Sequence, residues 1–225
     1  MNIDIEILYY FNSFAQRIPS FDILVKILST NVLIKGGVFL TAFWFFWFHR
    51  NNIKDRSTMI CNFFGSSAVM IFTRLLAASL PFRQRPKVNA ELNFILPSGS
   101  RIEELMSNSS FPSDHAALFY SLATGFYLLS KRAGIAAFIY TTAFIALPRI
   151  YLGLHYPSDI VCGATIGIVG TWLANRPIIK EKIAPSVFEV ENRQPGIFYA
   201  VMFLISLQIA TLFKEARELA RWIFD

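Results

Sequence analysis

The chain has 225 residues, 54% of them hydrophobic and 16% charged, with a mean hydropathy of +0.46. Apolar stretches of about 20 residues recur along it, each long enough to cross a bilayer, which excludes an ordinary soluble domain. The net charge of +6 suits anionic headgroups and phosphates; the cations do not gather on one helix and the aromatic residues mostly sit in the apolar stretches, which argues against a nucleic-acid partner.

Residues 3–16 carry Asp4 and Glu6, with no basic n-region and no small-residue cleavage site. They are read as mature structure rather than a signal peptide, in an amphipathic helix too short and polar to span. Pro19 interrupts, and residues 21–29 form a short apolar stretch carrying Lys26. A first span is predicted from Val32 to Phe48, with Lys35 near its start snorkelling to the interface. A polar loop, Arg50 to Ser57, leads to a second span from Thr58 to Leu80, which contains Arg74 and is ended by Pro81. Residues 82–111 are the longest non-apolar segment. A third span runs from Pro112 to Leu129 and a fourth from Ala133 to Leu147, joined by a tight turn at Lys131-Arg132. The short polar connection Pro148 to Tyr156 leads to a fifth span, Pro157 to Ala174. Residues 176–196 read as a charged loop, residues 197–213 as a sixth span, and the tail 214–224 as an amphipathic helix. Cys61 and Cys162 have neither zinc nor redox spacing and suit buried apolar positions. The expected fold is an all-α membrane bundle of about six transmembrane helices plus an amphipathic N-terminal helix. It forms one domain over 1–225, with its polar motifs in a core over 74–175 and an extra C-terminal span at 197–213.

Two spans separate residues 82–111 from 148–156, so both segments fall on the same membrane face. They carry three polar clusters: Arg83-Gln84-Arg85-Pro86-Lys87, Phe111-Pro112-Ser113-Asp114-His115, and Arg149-x5-His155-x3-Asp159. Arginines offer forked donors that match phosphate oxygens. Pro112 and Ser113 suit a helix start, where free backbone N–H groups and the helix dipole favour an anion. A neutral, oriented imidazole at His155 can attack phosphorus. Asp159, four residues on, shares its helical face and can hold one ring nitrogen. His115 can protonate the leaving oxygen and then activate water. Each piece has a plainer use: an interfacial histidine, a headgroup-contacting arginine, a helix cap, an Arg149–Asp159 ion pair. It is the convergence of three clusters on one face that points to phosphoryl transfer.

These clusters resemble the signature motifs of the type-2 phosphatidic acid phosphatase superfamily, which also includes the vanadium haloperoxidases: Lys-x6-Arg-Pro, Pro-Ser-Gly-His and Ser-Arg-x5-His-x3-Asp. The resemblance covers residues 85–159 and implies an all-helical membrane core. It implies His155 as nucleophile, Asp159 as the residue orienting it and His115 as acid/base. Phosphate would be bound by Arg85, Arg149 and the Ser113 region, with no metal and no cofactor. Three positions depart from the pattern: Ala78 stands for the lysine, Asp114 for the glycine and Pro148 for the serine. Arg74, one turn before Ala78, is a candidate replacement cation, as are Arg83 and Lys87, and Asp114 is taken with the phosphate-binding set, or equally as a residue that caps the helix or supports a neighbouring site group. The form Phe-Pro-Ser-Asp-His is similar to the bacterial undecaprenyl-diphosphate phosphatase branch, so the expected substrate is undecaprenyl diphosphate or a similar lipid phosphate in the bilayer. Phosphatidylglycerophosphate, phosphatidate and lipid A are alternatives. A non-catalytic lipid-binding or transport protein on the same fold is the rival reading, against which intact Arg149, His155, Asp159 and His115 speak. The resemblance places the site on the outer, periplasmic face of a bacterial inner membrane; the oligomeric state stays open.

Overall fold

A computed structural model describes residues 3–50, 52–101, 109–215 and 222. Among the described residues the regular secondary structure is all helical, as the apolar periodicity requires. Helix α1 is Ile3–Asn12 and α2 is Pro19–Thr30. A π-helical turn, Leu33–Gly37, leads into α3, Val38–His49. Helix α4 is Ile53–Ser79, and two 3₁₀ turns, Pro86–Val88 and Ala90–Leu92, lie in the polar segment after it. Helix α5 is Asp114–Leu129. Helix α6, Lys131–Tyr140, passes through a π turn, Thr141–Ala146, into α7, Leu147–Tyr151. Helices α8, Pro157–Ala174, α9, Pro177–Arg193, and α10, Pro195–Ala210, complete the order.

By length and composition, α4, the continuous α6–α7 segment and α8 can each cross a bilayer, and α2 with α3 forms a pair bent by 59° that passes the same test together. Helices α5 and α10 are shorter, at 16 residues each, or about 24 Å. Helices therefore stand on all six expected spans. The chain is an integral membrane protein whose large exposed apolar side chains, such as Phe45, Phe72, Ile139, Val161 and Phe203, suit a lipid environment.

Three local expectations are corrected. Residues 176–196 are not a loop: α9 forms because Pro177 suits a first helical position and the polar residues pair along the helix and across to its neighbours. Glu191 accepts from Arg56 at 2.5 Å and from Tyr199 at 2.8 Å, Lys180 donates to Thr58 at 2.8 Å, and Ala184 is buried. Helix α4 begins at Ile53, inside the expected polar loop, because Asn52 caps it by accepting from the Asp55 amide at 2.8 Å. Helix α5 starts at Asp114, with Ser113 rather than Pro112 at its boundary. The tail helix expected over 214–224 lies outside the described residues apart from Lys214, Glu215 and Trp222.

The interior has an aromatic half and a polar half. Phe39, Phe43 and Trp47 of α3 pack on Phe63 of α4, Phe119 and Phe126 of α5, and Phe198 and Met202 of α10. On the other side, α5 and α8 run side by side from the same end, in contact through small residues. A Cβ at Gly163 would lie 2.3 Å from the Ser113 carbonyl oxygen, and one at Gly167 2.3 Å from that of Ala117. Only glycine permits this approach, the usual device where lipid leaves helices little hydrophobic reason to associate. Ser66, Ser121 and Thr171 add a buried hydroxyl chain tying α4, α5 and α8, with Oγ–Oγ and Oγ–Oγ1 distances of 2.8 and 2.5 Å. The α5–α8 pair thus fixes its two N-termini against each other, and the polar clusters sit there.

Candidate active site

Four chain segments converge at that end. The C-terminal turns of α4 supply Arg74, and the segment after it Arg83 and Arg85. The start of α5 supplies Asp114 and His115. Helix α7 supplies Arg149, and the connection to α8 supplies His155. The segments lock to one another through backbone bonds: Lys87 N donates to Gly153 O at 3.0 Å, Ser110 N to Arg83 O at 2.8 Å, and Ser113 N to Asp159 O at 3.1 Å. The segments 82–111 and 148–156 therefore share one face.

A cavity of about 520 Å³ opens there. It is lined by the charged or titratable side chains of Arg74, Arg85, Asp114, His115, Arg149 and His155 and by the apolar Ala77, Ala78, Leu80, Phe82 and Pro112. Charged and apolar lining in one cavity match an amphiphile with a phosphate head.

His155 is buried, with 1% of its surface exposed. Its Nδ1 lies 2.8 Å from the Ser110 carbonyl oxygen, which can only accept, so Nδ1 carries the hydrogen. Its Nε2 lies 3.3 Å from an Arg85 Nη, which can only donate, so Nε2 carries the lone pair and directs it at Arg85, and both residues line the cavity. The two partners select one neutral tautomer. The expectation that Asp159 grips this ring is corrected. Its Oδ2 is 3.6 Å from Nδ1, beyond hydrogen-bond length, and accepts instead from the Tyr156 amide at 2.8 Å as the third residue of a capping box. Its Oδ1 accepts from Arg83 at 2.6 Å. Asp159 acts on the imidazole as a nearby fixed charge.

Burial holds the His155 imidazole below its ordinary range; the Asp159 carboxylate opposes the shift and the charges of Arg85 and Arg149 reinforce it. The ring therefore stays neutral to a pH below the ordinary 6.5 or so. The acid limb of kcat/KM assigned to His155 is expected below pH 6.5. Stability follows the same sign: the native state binds fewer protons than the unfolded chain just below pH 6.5, so stability falls as pH drops through that window. A pH–rate profile with the acid limb at or above 7 would contradict the assignment.

The remaining arginines divide. Arg85 is buried, donates to Leu154 O at 2.7 Å and Ser109 O at 3.3 Å, and lines the cavity. Arg149 is buried and lines the cavity, and its Nε has no hydrogen-bond partner. Arg74 lines the cavity and is ion-paired to Asp114. Arg83, by contrast, is not a wall of the cavity. Its guanidinium donates to Asp4 at 2.7 Å, Asp159 at 2.6 Å and Ser158 at 2.8 Å and stacks on the Tyr156 ring at 4.0 Å. It braces the back of the site, so its expected place among the phosphate ligands is corrected. Lys87 donates to Arg101 O at 2.9 Å.

Ser113 is fully buried and its Oγ accepts from the Ala116 amide at 3.4 Å, as a helix cap. The His115 amide donates to Asp114 Oδ1 at 2.7 Å. These two amides are taken, so the expected anion nest at the α5 start is partly filled by the helix's own side chains. His115 Nδ1 is 2.8 Å from Asp114 Oδ1. Lys35, expected to snorkel, is instead 6% exposed on the π turn before α3, within electrostatic range of Arg149, Asp114 and His115. The bend between α2 and α3 carries it inward.

Sequence reasoning missed Ser110, whose contribution is a backbone carbonyl and leaves no side-chain signal. It also missed Asp4 of α1, which accepts from the Ser158 amide at 2.7 Å, from Ser158 Oγ at 2.6 Å and from Arg83. Burial raises its carboxyl, but the Ser158 hydrogen bonds and Arg83 outweigh this and hold it below the usual range.

Comparison with known proteins agrees with this geometry. Residues 61–181 match the family described as the PAP2 superfamily. A lipid A 4'-phosphatase of Bacteroides thetaiotaomicron is 47% identical over 64 residues, 28% of each chain. A putative undecaprenyl-diphosphatase of Escherichia coli, YbjG, is 31% identical over 64 residues, 28% of this chain and 32% of that one. The matched stretches span half the length or less of the first relatives. In the crystal structure of Aquifex aeolicus LpxE the same fold recurs with a TM-score of 0.55 and 22% identity, over 77% of this chain and 95% of that one.

Proposed function

The chain belongs to the PAP2 superfamily, and on that premise we propose that it is a metal-independent lipid phosphatase acting through a phosphohistidine on His155. The observation that carries the reading is the His155 imidazole. It is buried, held at Nδ1 by a carbonyl and at Nε2 by Arg85, and it lines a cavity whose wall combines arginines with apolar side chains. Nε2 attacks the terminal phosphorus as its bond to the leaving-group oxygen breaks (the bridging oxygen of a diphosphate, the alkoxyl oxygen of a monophosphate), and His115 gives that oxygen a proton. His115 then takes a proton from water, whose oxygen attacks phosphorus, the P–N bond breaks, and phosphate leaves with His155 neutral again. Arg85 and Arg149 stabilise the negative charge on the transferring group, with Arg74 at the rim. The arginines supply the electrophilic role a metal would otherwise take, and among the described residues no three of His, Cys, Asp and Glu gather as ligands.

The favoured substrate is undecaprenyl diphosphate or a similar polyprenyl phosphate. The Phe111–His115 motif and the likeness to YbjG support it. The 47% likeness to a lipid A 4'-phosphatase supports lipid A as the second reading. The favoured location is a bacterial inner membrane with the cavity on the periplasmic face.

The test is phosphate release by the detergent-solubilised protein in EDTA, given polyprenyl diphosphate, lipid A, phosphatidylglycerophosphate and phosphatidate in turn. The polyprenyl diphosphate is expected to show the highest kcat/KM, and vanadate to inhibit. Faster release from lipid A would move the assignment to the second reading. No release from any of the four by folded protein would favour a non-catalytic lipid-binding role. Activity lost in EDTA and restored by a divalent cation would overturn the metal-free mechanism.

A further inference from the structure

An aspartate stands at position 114 where the motif it resembles has glycine, and a carboxylate facing a phosphate would repel it. The expectation that Asp114 binds phosphate does not fit its contacts. Asp114 Oδ1 accepts from the His115 amide at 2.7 Å and sits 2.8 Å from His115 Nδ1, while Oδ2 is paired with Arg74. Both of its oxygens are thus turned to protein donors around the second histidine. The His115 ring is further confined by Phe119, with ring centroids 6.5 Å apart. Asp114, His115 and Arg74 all line the cavity.

We propose that Asp114 is a positioning residue for His115. It holds the hydrogen on Nδ1, so that proton exchange with the leaving group and with water passes through Nε2 alone, and it stabilises the imidazolium that donates the first proton. This rests on the phosphohistidine reading above. The site then contains two oriented histidines held by different means: the nucleophile by a backbone carbonyl, with the Asp159 carboxylate 3.6 Å off, and the acid/base by a carboxylate in direct contact, which stabilises positive charge more strongly. That difference suits their tasks. The nucleophile works neutral, whereas the acid/base must alternate between charged and neutral forms in each turnover. Arg74 from α4 holds the other carboxylate oxygen and so keeps Asp114 aimed. The other charged or titratable groups near His115 are Arg149 of α7 and Lys35 of the π turn, with Arg85 and His155 across the cavity.

The experiment compares Asp114→Asn and Asp114→Ala in the full chain, using p-nitrophenyl phosphate, whose leaving group needs no proton, and an alkyl lipid phosphate, whose leaving group does. Asparagine keeps an acceptor for Nδ1–H but removes the charge. For Asp114→Asn the basic limb of kcat on the alkyl substrate is expected to move to lower pH by about one unit, the scale of one lost neighbouring charge. For Asp114→Ala turnover of the alkyl substrate should fall about 100-fold, as when a general acid–base group is disoriented. Its burst of nitrophenol and acid-labile phosphoenzyme should persist on the aryl substrate. Unchanged limb and rate in Asp114→Asn would overturn the proposal, as would equal loss of burst and turnover in Asp114→Ala. If Asp114→Ala does not fold, the limb position in Asp114→Asn decides alone. A wild-type protein that turns over the aryl substrate without acid-labile phosphoenzyme would refute the phosphohistidine reading itself, and this inference with it.

Discussion

Replacing His155 by alanine is expected to lower turnover about 10⁴-fold or more, the scale seen when a covalent nucleophile is removed and only binding and electrostatics remain. The imidazole is fully buried, so the substitution is not silent for stability. It leaves the Ser110 carbonyl without its side-chain donor and costs about 1–3 kcal/mol if water does not replace the ring. The helix pair that carries the site is held elsewhere, by the glycine contacts at Gly163 and Gly167 and the Ser66–Ser121–Thr171 hydroxyl chain. The variant should therefore remain folded in detergent with a modestly lower Tm. Phosphoenzyme trapping with radiolabelled substrate is the second readout, and the label should be absent. Near-normal turnover in a folded His155→Ala protein would sink the mechanism.

Arg149→Ala carries the second largest expected effect, a loss of about 10²–10³ in kcat/KM, comparable to removing a donor aimed at the charge of a transition state. The argument rests on what Arg149 does not touch. It is buried on α7 with Nε unpartnered, and it lies within electrostatic range of Asp114, Arg85 and Lys35. Asp114 is already paired with Arg74, so buried cations outnumber carboxylates there, which costs stability. Removing Arg149 should therefore leave Tm unchanged or raise it while activity collapses, the opposite of what a structural ion pair would do. Arg149→Lys should recover little, because one ammonium cannot reproduce the two-pronged contact of a guanidinium. A falling Tm with nearly normal kcat/KM would reassign Arg149 to the scaffold.

The parts of the site that could be read in the sequence share a property. His115, His155, Arg85, Arg149 and Asp159 are chemically distinctive side chains at fixed spacings, on helix ends that hydrophobic patterning already locates. The cavity gathers the histidines with Arg85 and Arg149, and Asp159 lies just behind His155. What could not be read depends on features without residue identity. The hydrogen bond to His155 Nδ1 comes from a carbonyl, which every residue has. Lys35 turns inward because a π turn and a 59° bend rotate it, and neither has a compositional mark. Arg83 and Arg85 look alike in sequence two positions apart, yet one reaches the carboxylates of Asp4 and Asp159 behind the site and the other reaches His155, a difference set by partners from distant segments. Helix α9 was hidden because its stabilising partners, Arg56, Thr58 and Tyr199, lie on other segments.

The clamp on Asp4 has a consequence for how the protein comes into being. Asp4 is synthesised 154 positions before Ser158, to which it is bonded twice. The long apolar helices can each enter the bilayer as they emerge, since their backbone bonds are satisfied within each helix. Helix α1 can bond to Arg83, Leu92 and Ile95 earlier, but its Asp4 cannot reach Ser158 until the first turn of α8 has been made. Lodging the spans and completing the wall behind His155 are thus separable in biogenesis. The helices can sit in the membrane before that wall is complete, and an early segment of the chain closes it after a late one arrives.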